Sequence, residues 1–113
     1  MWRDDATLLD ILRAARLALE FRGGLDKAVF LTDVKTQAAV LHELLVLGEA
    51  AKRLSPGFRE EHPGVPWKAI AGMRDPLLHG YDDVDLDLVW KTVDEDLSVL
   101  IERLEGLAPR RDS

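Results

Sequence analysis

Three long stretches in which apolar residues recur every three or four positions constrain the fold of this chain more than any other feature. This spacing places the apolar side chains on one face of an α-helix, where neighbouring helices can bury them. The stripes consist of Leu8, Leu12, Ala15 and Leu19; of Val34, Ala38, Leu41, Leu45, Gly48 and Ala51, widened by Leu44, Leu47 and Leu54; and of Leu86, Val89, Val93, Leu97, Leu100 and Leu104. No segment shows the strict alternation typical of a β-strand. The pattern therefore predicts an all-α chain.

The first two long helices have sequence signals at both ends. Asp4 or Asp5 is the predicted N-cap of the first helix, because a short polar side chain there accepts a hydrogen bond from a free backbone N–H. Gly23-Gly24 ends this helix, and Asp33 is the predicted N-cap of the second. The second helix is expected to run to about Leu54 and to be the longest and most central.

Shorter elements connect the long helices. Residues 25–31 predict a short helix or packed turn, and residues 55–57 (Ser-Pro-Gly) stop the second long helix. A polar connection follows, with a turn of helix expected at 58–62. Pro66 is suited to begin the next helix, which is called the predicted fourth helix. Asp85 is the predicted N-cap of the last helix. The predicted buried side of the fourth helix consists of Trp67, Ile70 and Leu77 or Leu78.

Length and composition restrict the class of protein. A chain of 113 residues, 47% of them hydrophobic and 32% charged, is ordinary for one soluble globular domain. Short connections favour an antiparallel four- to five-helix bundle over residues 1–108, with a frayed tail at 109–113. The sequence has no cysteine, which excludes disulfides and thiolate chemistry. It also has no apolar run of membrane-spanning length and no signal-peptide core, so the expected location is the cytoplasm.

The residues best suited to catalysis are Arg74, His79 after four intervening residues, and Tyr81 after one more. An arginine offers a permanently charged donor fork suited to phosphate oxygens, and a histidine can take and give a proton near neutral pH. Together they predict phosphoryl transfer without a metal. In RNA, the histidine would act on the 2′-hydroxyl nucleophile or the 5′-oxygen leaving group, and the arginine would stabilise charge on the phosphate. The net charge of −6 argues against broad nucleic-acid binding but permits a local positive cleft.

The spacing of these residues leaves their arrangement open. Arg74 and His79 point about 140° apart on a straight helix, whereas Tyr81 returns to the side of Arg74. Pro76 is expected to kink or break the helix and to move Asp75 away from helical angles, which would turn His79 toward Arg74. Alternatively, each protomer of a dimer completes the other's site. In a third interpretation, Arg74 and His79 only interact with the terminal carbonyls of a helix, and Tyr81 is a packed ring.

The sequence does not favour a metal site. The acids between Asp83 and Asp94 resemble a calcium loop, but Leu88 stands where that loop requires glycine, and helix capping accounts for the acids better. His42, expected on a helix side, and His62, expected as a solvated loop residue, have no zinc-ligand spacing with His79. No metal and no cofactor is predicted.

Glu49 admits two interpretations. It is a surface carboxylate next to a close helix contact at Gly48, or it is a partner for Arg74. The chain has no glycine-rich phosphate loop and no Ser-His-Asp order, which argues against nucleotide hydrolysis by a P-loop and against triad chemistry.

Four motifs, in this order and at this spacing, resemble the HepT-like toxins of the HEPN superfamily. They are Leu47-Gly48-Glu49-Ala50-Ala51-Lys52-Arg53, Pro66-Trp67-Lys68-Ala69-Ile70-Ala71-Gly72-Met73-Arg74, His79-Gly80-Tyr81 and Val84-Asp85. The likeness covers residues 3–105. It implies an all-α bundle that forms a homodimer, with a metal-independent endoribonuclease site in the cleft between the protomers.

The same resemblance implies roles for individual residues. Arg74 and His79 would be the catalytic pair that acts on RNA, and Tyr81 would be the tyrosine that a small nucleotidyltransferase antitoxin can adenylylate. AMP on Tyr81 would add bulk and negative charge where an RNA phosphate must sit. One residue departs from the resemblance, because Asp75 stands where such toxins commonly have asparagine. Its carboxylate either orients Arg74 or pairs with it and weakens its hold on phosphate.

Three functional hypotheses follow from the sequence. The leading one is a toxin ribonuclease of a toxin-antitoxin pair, with His79 as general acid or base and Arg74 as phosphate stabiliser. The second is a non-catalytic helical binding module that docks a nucleotidyltransferase and presents a nucleotide or Tyr81 to it. The third is a helical dimer with only a scaffolding role.

Overall fold

The computed structural model describes residues 2–78 and 83–107, with only the backbone of Trp2. Within these residues the regular structure is helical, apart from a single antiparallel backbone pairing between Leu78 and Val84. The predicted all-α class is confirmed. No helix in the described part of the chain is long and apolar enough to cross a membrane.

Some predictions concern residues outside the described ranges. They include His79 and Tyr81 of the motif and the frayed tail at 109–113. The single domain over residues 1–108 likewise stays a prediction.

Three long helical units surround the core, and shorter helices connect them. The helices are α1 (Trp2–Arg22), α2 (Lys27–Phe30), α3 (Val34–Lys52), α4 (Pro56–Glu61), α5 (Trp67–Ala71), α6 (Arg74–Leu77), α7 (Leu86–Lys91) and α8 (Leu97–Glu105), with a π-helical segment (Thr92–Asp96) that joins α7 to α8. At 21 residues, α1 exceeds the 19 residues of α3, so the prediction that the second long helix is the longest is wrong.

Contacts between the long units fix their directions. Asp4, near the start of α1, is bonded to Ser55, just beyond the end of α3, so these two helices are antiparallel. The ion pairs between α1 and the last unit are Arg16–Glu105 and Arg22–Asp94. Their order along the two helices shows that α1 and the last unit are antiparallel as well.

Asp4 has a role that differs from the predicted N-cap. Since α1 begins at Trp2, neither Asp4 nor Asp5 precedes the helix. The carboxylate of Asp4 instead accepts hydrogen bonds from the backbone N–H (2.9 Å) and the hydroxyl (2.6 Å) of Ser55. These bonds stabilise the ionised form and hold the pKa of Asp4 below its ordinary value. The Ser55 hydroxyl also accepts a hydrogen bond from the N–H of Phe58, so Ser55 both follows α3 and caps α4.

The buried face of α3 differs from the predicted one. The buried residues of this helix are Val40, Leu44, Leu47, Gly48, Ala50 and Ala51. The prediction is correct for Leu44, Leu47, Gly48, Ala51 and Leu54, which are buried, whereas Val34 and Ala38 are exposed, and Leu41 and Leu45 are only half-buried. The helix is so rich in leucine, valine and alanine that residues at three-and-four spacing occur on more than one side. Spacing alone therefore identified the core side only in part.

Two predicted N-caps are confirmed. The carboxylate of Asp33 accepts a hydrogen bond from the N–H of Thr36 at 3.1 Å, and that of Asp85 accepts one from the N–H of Leu88 at 3.0 Å. The pKa of Asp33 is lowered, chiefly by its bond from the Thr36 N–H. Each carboxylate satisfies a backbone donor that has no partner inside its helix.

The last unit buries most of its predicted stripe. The buried residues are Val89, Val93, Leu97, Leu100 and Leu104. In the π-helical segment, the Thr92 hydroxyl donates to the carbonyl of Leu88 at 2.8 Å, inside the same helical unit. Trp90 packs against Phe30 and lies under the guanidinium of Arg22, at 5.3 Å from each, so it belongs to the edge of the core.

The predicted fourth helix is divided into α5 and α6. Its buried residues Trp67, Ile70 and Leu77 are as predicted. Helix α5 ends at Ala71 and is followed by its C-cap, Gly72. Pro76 has no N–H and therefore cannot bond to the Gly72 carbonyl. The predicted break is thus confirmed at this point. Asp75, however, lies inside α6, and its predicted departure from helical angles is wrong. A proline in the first turn removes no intrahelical bond, so the short helix tolerates it.

Candidate functional site

Arg74 lies at the surface where α6 begins, beside a narrow crevice between α3 and α5. The crevice is lined by Leu44, Leu45, Gly48, Glu49, Ala71 and Arg74. The structure therefore places Arg74 and Glu49 along the same crevice.

The two helices approach closely at Gly48. A Cβ atom placed on Gly48 would lie 3.1 Å from the carbonyl oxygen of Ile70 in α5, which is tighter than ordinary van der Waals contact. Glycine inside a helix costs about 1 kcal/mol relative to alanine, so its use here indicates a need for close backbone approach. This contact sets the position of α5 and of the α6 helix that follows it.

Trp67 anchors the start of α5. Its indole N–H donates to the backbone carbonyl of His62 at 2.9 Å, and its ring lies edge-on to Phe58, with centroids 5.9 Å apart. Phe58 also packs against the imidazole of His62 at 4.7 Å. His62 is therefore half-buried at the end of α4, and its prediction as a solvated loop residue is wrong. Through these contacts α4 holds α5 in place.

The charged groups around Arg74 leave its guanidinium open. Glu49 pairs with Lys52 at 3.0 Å rather than with Arg74. Arg74 and Asp75 are both exposed and form no ion pair with each other. Within residues 2–78 and 83–107, no hydrogen bond or ion pair engages the Arg74 side chain. The sequence signal for the Glu49–Lys52 pair is their i,i+3 spacing on a helix.

The residues on either side of positions 79–82 are held next to one another. Leu78 and Val84 form the antiparallel backbone pairing, and the N–H of Asp85 donates to the carbonyl of Leu77 at 2.8 Å. Both ends of the interval are thus fixed directly after α6. The interval itself, with the histidine and tyrosine of the motif, lies outside the described residues.

The acidic residues after the motif serve the fold. Asp85 caps α7, Asp87 pairs with Lys27 at 3.1 Å, and Asp94 pairs with Arg22 at 2.9 Å. A continuous helical unit runs where a calcium loop would have to turn. In the part of the chain that the structure describes, no group of three or more His, Asp or Glu side chains is placed to hold a metal ion.

A larger apolar groove lies between α5–α6 and the last unit. Its volume is about 450 Å³, and Met73, Pro76, Val99 and Leu100 are among the residues that line it. Arg74 is not part of this lining, so the groove does not extend the crevice.

Comparisons with known proteins agree on one family. Residues 11–107 match the family model described as ribonuclease HepT-like. The chain is 43% identical over 100 residues to a probable ribonuclease HepT of Thermococcus cleftensis, covering 88% of this chain and 91% of the relative. It is 37% identical over 100 residues to a putative RNase of Methanocaldococcus jannaschii, covering 88% and 92%. A putative RNase of Caldanaerobacter subterraneus is 36% identical over 97 residues, covering 86% and 87%. No solved structure matches the chain at a significant level.

Proposed function

The chain belongs to the HepT-like ribonuclease family, and on that premise we propose that it is an endoribonuclease that cleaves RNA phosphodiester bonds without a metal ion. The observation that supports this best is the exposed guanidinium of Arg74, which no described carboxylate engages. It stands on a helix fixed by the contact at Gly48 and by the anchor at Trp67. A positioned arginine of this kind is suited to hold a phosphate while its charge increases.

In this mechanism His79 moves the proton and Arg74 stabilises the phosphate. His79 takes the proton of the 2′-hydroxyl as its oxygen attacks phosphorus, or gives a proton to the 5′-oxygen as its bond to phosphorus breaks. Arg74 donates hydrogen bonds to the non-bridging oxygens, where negative charge develops. Glu49 supports the site from the other side of the crevice, and Asp75 forms no ion pair with Arg74.

The exposed stripe on α3 supports a homodimer with the site between its protomers. Leu41 and Leu45 are half-buried, and Val34 on the same stripe is 73% exposed, so the stripe leaves apolar surface uncovered. Leu45 also lines the crevice of Arg74. A second copy packed symmetrically on this stripe would bring both arginines to one cleft.

The proposal extends to regulation by a nucleotidyltransferase antitoxin, with the chain as the toxin. Transfer of AMP from ATP to the phenol oxygen of Tyr81, with release of pyrophosphate, would add a negatively charged group to the motif. Such a group repels the RNA phosphate and occupies its place. This would inhibit the nuclease without unfolding it.

The test is cleavage of a mixed tRNA and mRNA pool in excess EDTA by the parent, His79→Ala and Arg74→Ala. We expect His79→Ala to lose about 10²–10⁴-fold in rate and Arg74→Ala about 10²–10³-fold, because a general acid–base group and a charge stabiliser contribute these amounts. Arg13→Ala removes an exposed arginine from α1 and is the matched control. Circular dichroism checks that every variant is folded.

Two outcomes would count against parts of this proposal. Full activity of His79→Ala would end the catalytic assignment. No cleavage by a parent whose intact mass shows no adduct would favour a non-catalytic module that docks a nucleotidyltransferase. Ala38→Glu, which places a charge on the exposed stripe of α3, is expected to lose the dimer and the activity together when examined by sedimentation and cleavage. Val99→Glu places the same charge in the apolar groove and is expected to lose neither.

A further inference from the structure

We propose that the contact between α3 and α5 continues the site into a binding track for the RNA backbone, in which Lys52 and Lys68 each contact a phosphate beyond the one at Arg74. This inference rests on the proposed endoribonuclease function. Lys52 and Lys68 take no part in the cleavage step, and their proposed role is to hold the RNA strand.

Lys68 lies on the same side of α5 as the crevice. It precedes Ala71, which lines the crevice, by three positions, and residues three apart share a face of a helix. Its neighbour Ala69 lines the apolar groove instead. Lys68 is exposed, and no carboxylate among the described residues pairs with it. Its ammonium is therefore available to a phosphate at the surface.

Lys52 lies on α3, next to the same crevice. It follows Glu49, another residue of the crevice, by three positions and pairs with it at 3.0 Å. The side chains of both are more than half exposed. An exposed pair of this kind contributes little to stability, so a phosphate can replace the carboxylate as the partner of Lys52.

Both lysines lie next to the crevice that Arg74 lines. The ammonium of Lys52 is 3.0 Å from the carboxylate of Glu49, and Lys68 is one turn before Ala71; Glu49 and Ala71 both line the crevice. The track would thus hold a short single-stranded segment next to the cleaved bond.

The distribution of charge favours the same face. Residues 1–78 contain eleven basic and eleven acidic residues, whereas residues 79–113 contain four basic and ten acidic ones. The net negative charge therefore falls within residues 79–113, and the last helical unit, residues 86–105, carries six acidic and two basic residues. RNA is expected to reach the α3–α5 contact through the cleft between the protomers rather than over that unit.

The experiment measures binding of a fluorescein-labelled single-stranded oligonucleotide with 2′-O-methyl riboses, which removes the 2′-hydroxyl nucleophile. Titrations at 50 to 200 mM salt give the slope of log Kd against log salt. We expect Lys68→Gln to reduce this slope by about 0.7, because each phosphate contact on a single strand contributes that amount. Over this range the parent would then lose about 2.6-fold more affinity than the variant. Lys68→Arg keeps the charge and is expected to keep the slope.

Lys35→Gln is the matched control, because it removes the same charge from an exposed site at the far end of α3. It is expected to leave the slope unchanged. On cleavable RNA, Lys68→Gln is expected to raise KM more than it lowers kcat, as a loss of strand binding requires. The double variant Lys52→Gln/Lys68→Gln is expected to reduce the slope of log Kd against log salt by about 1.4.

The outcomes separate this inference from the proposed function. If the parent cleaves RNA and Lys68→Gln changes the slope no more than Lys35→Gln, the track is refuted and the nuclease stands. If Lys68→Gln lowers the slope but the parent cleaves nothing, the track is supported and the proposed cleavage fails.

Discussion

Helix α5 meets α3 through backbone atoms, whereas α8 meets α1 partly through long charged side chains at the surface. At the first contact a Cβ on Gly48 would come within 3.1 Å of the Ile70 carbonyl. At the second, Arg16 and Glu105 form an ion pair in which both side chains are about half exposed. The first contact leaves little room for movement, and the second is adjustable. The helix that carries Arg74 follows the rigid one.

The two contacts therefore differ in how strictly they fix the position of a helix. The position of Arg74 depends on a chain of short contacts through Gly48 and Trp67, so errors there would move the guanidinium directly. The last helical unit is held mainly by buried residues such as Leu97 and Leu104, and its surface ion pairs add little.

Replacement of Gly48 by valine should have the largest effect. Its branched side chain would push α5 away from α3, and we expect a loss of about 3 kcal/mol in the free energy of unfolding, the upper range for an overpacked core. Urea denaturation measures this loss. Gly57→Ala is the control, since a Cβ on Gly57 meets no atom within 4 Å. A Gly48→Val protein as stable as the parent would show that the contact is adjustable after all.

Loss of the Asp4 carboxylate should have an intermediate effect. Asp4→Ala removes two hydrogen bonds to a buried charged group that ties α1 to the end of α3, and we expect it to cost about 2 kcal/mol at pH 7. Because the folded-state pKa of Asp4 is lowered, its contribution is present above the unfolded pKa of about 3.9 and is lost as pH falls through the folded value. Denaturation at pH 7 and pH 3 should therefore show a smaller difference between parent and variant at pH 3.

Asp5→Ala is the matched control for that experiment. Asp5 is exposed in the same turn of α1 as Asp4. We expect it to change stability little at either pH. A difference for Asp4→Ala that does not decrease in acid would refute the role of the ionised carboxylate.

Removal of the Arg16–Glu105 ion pair should have the smallest effect. Both side chains are about half exposed, so water and salt screen their attraction, and we expect a coupling energy below about 0.5 kcal/mol. A double-mutant cycle with Arg16→Ala and Glu105→Ala isolates this energy. A coupling energy well above 1 kcal/mol would make the α1–α8 contact as specific as the one at Gly48.

The sequence predicted some elements more securely than others for identifiable reasons. The caps Asp33 and Asp85 were predictable, because capping depends on residues a few positions apart. The core side of α3 was predictable only in part, since apolar residues occur around most of this helix and its neighbours determine which ones are covered. The role of Asp4 was missed for a similar reason, because its partner Ser55 is distant in sequence.

In the candidate site, too, features set by nearby residues were predictable and features set by distant residues were not. Arg74 was identifiable from its chemistry and its place in the motif, and the break at Gly72 followed from the missing N–H of Pro76. Glu49 lies across a crevice from Arg74 but pairs with Lys52. This arrangement depends on how closely α3 and α5 approach and was not predictable from the sequence.

By itself, the sequence determined the all-α class, most helix ends and the chemical groups available for catalysis, because these depend on side-chain type and on spacing within one helix. The tertiary structure alone decided which stripe of α3 is buried, which charges meet and where the crevice opens. Those features depend on distances between residues far apart in the chain, and the close backbone approach at Gly48 sets several of them together.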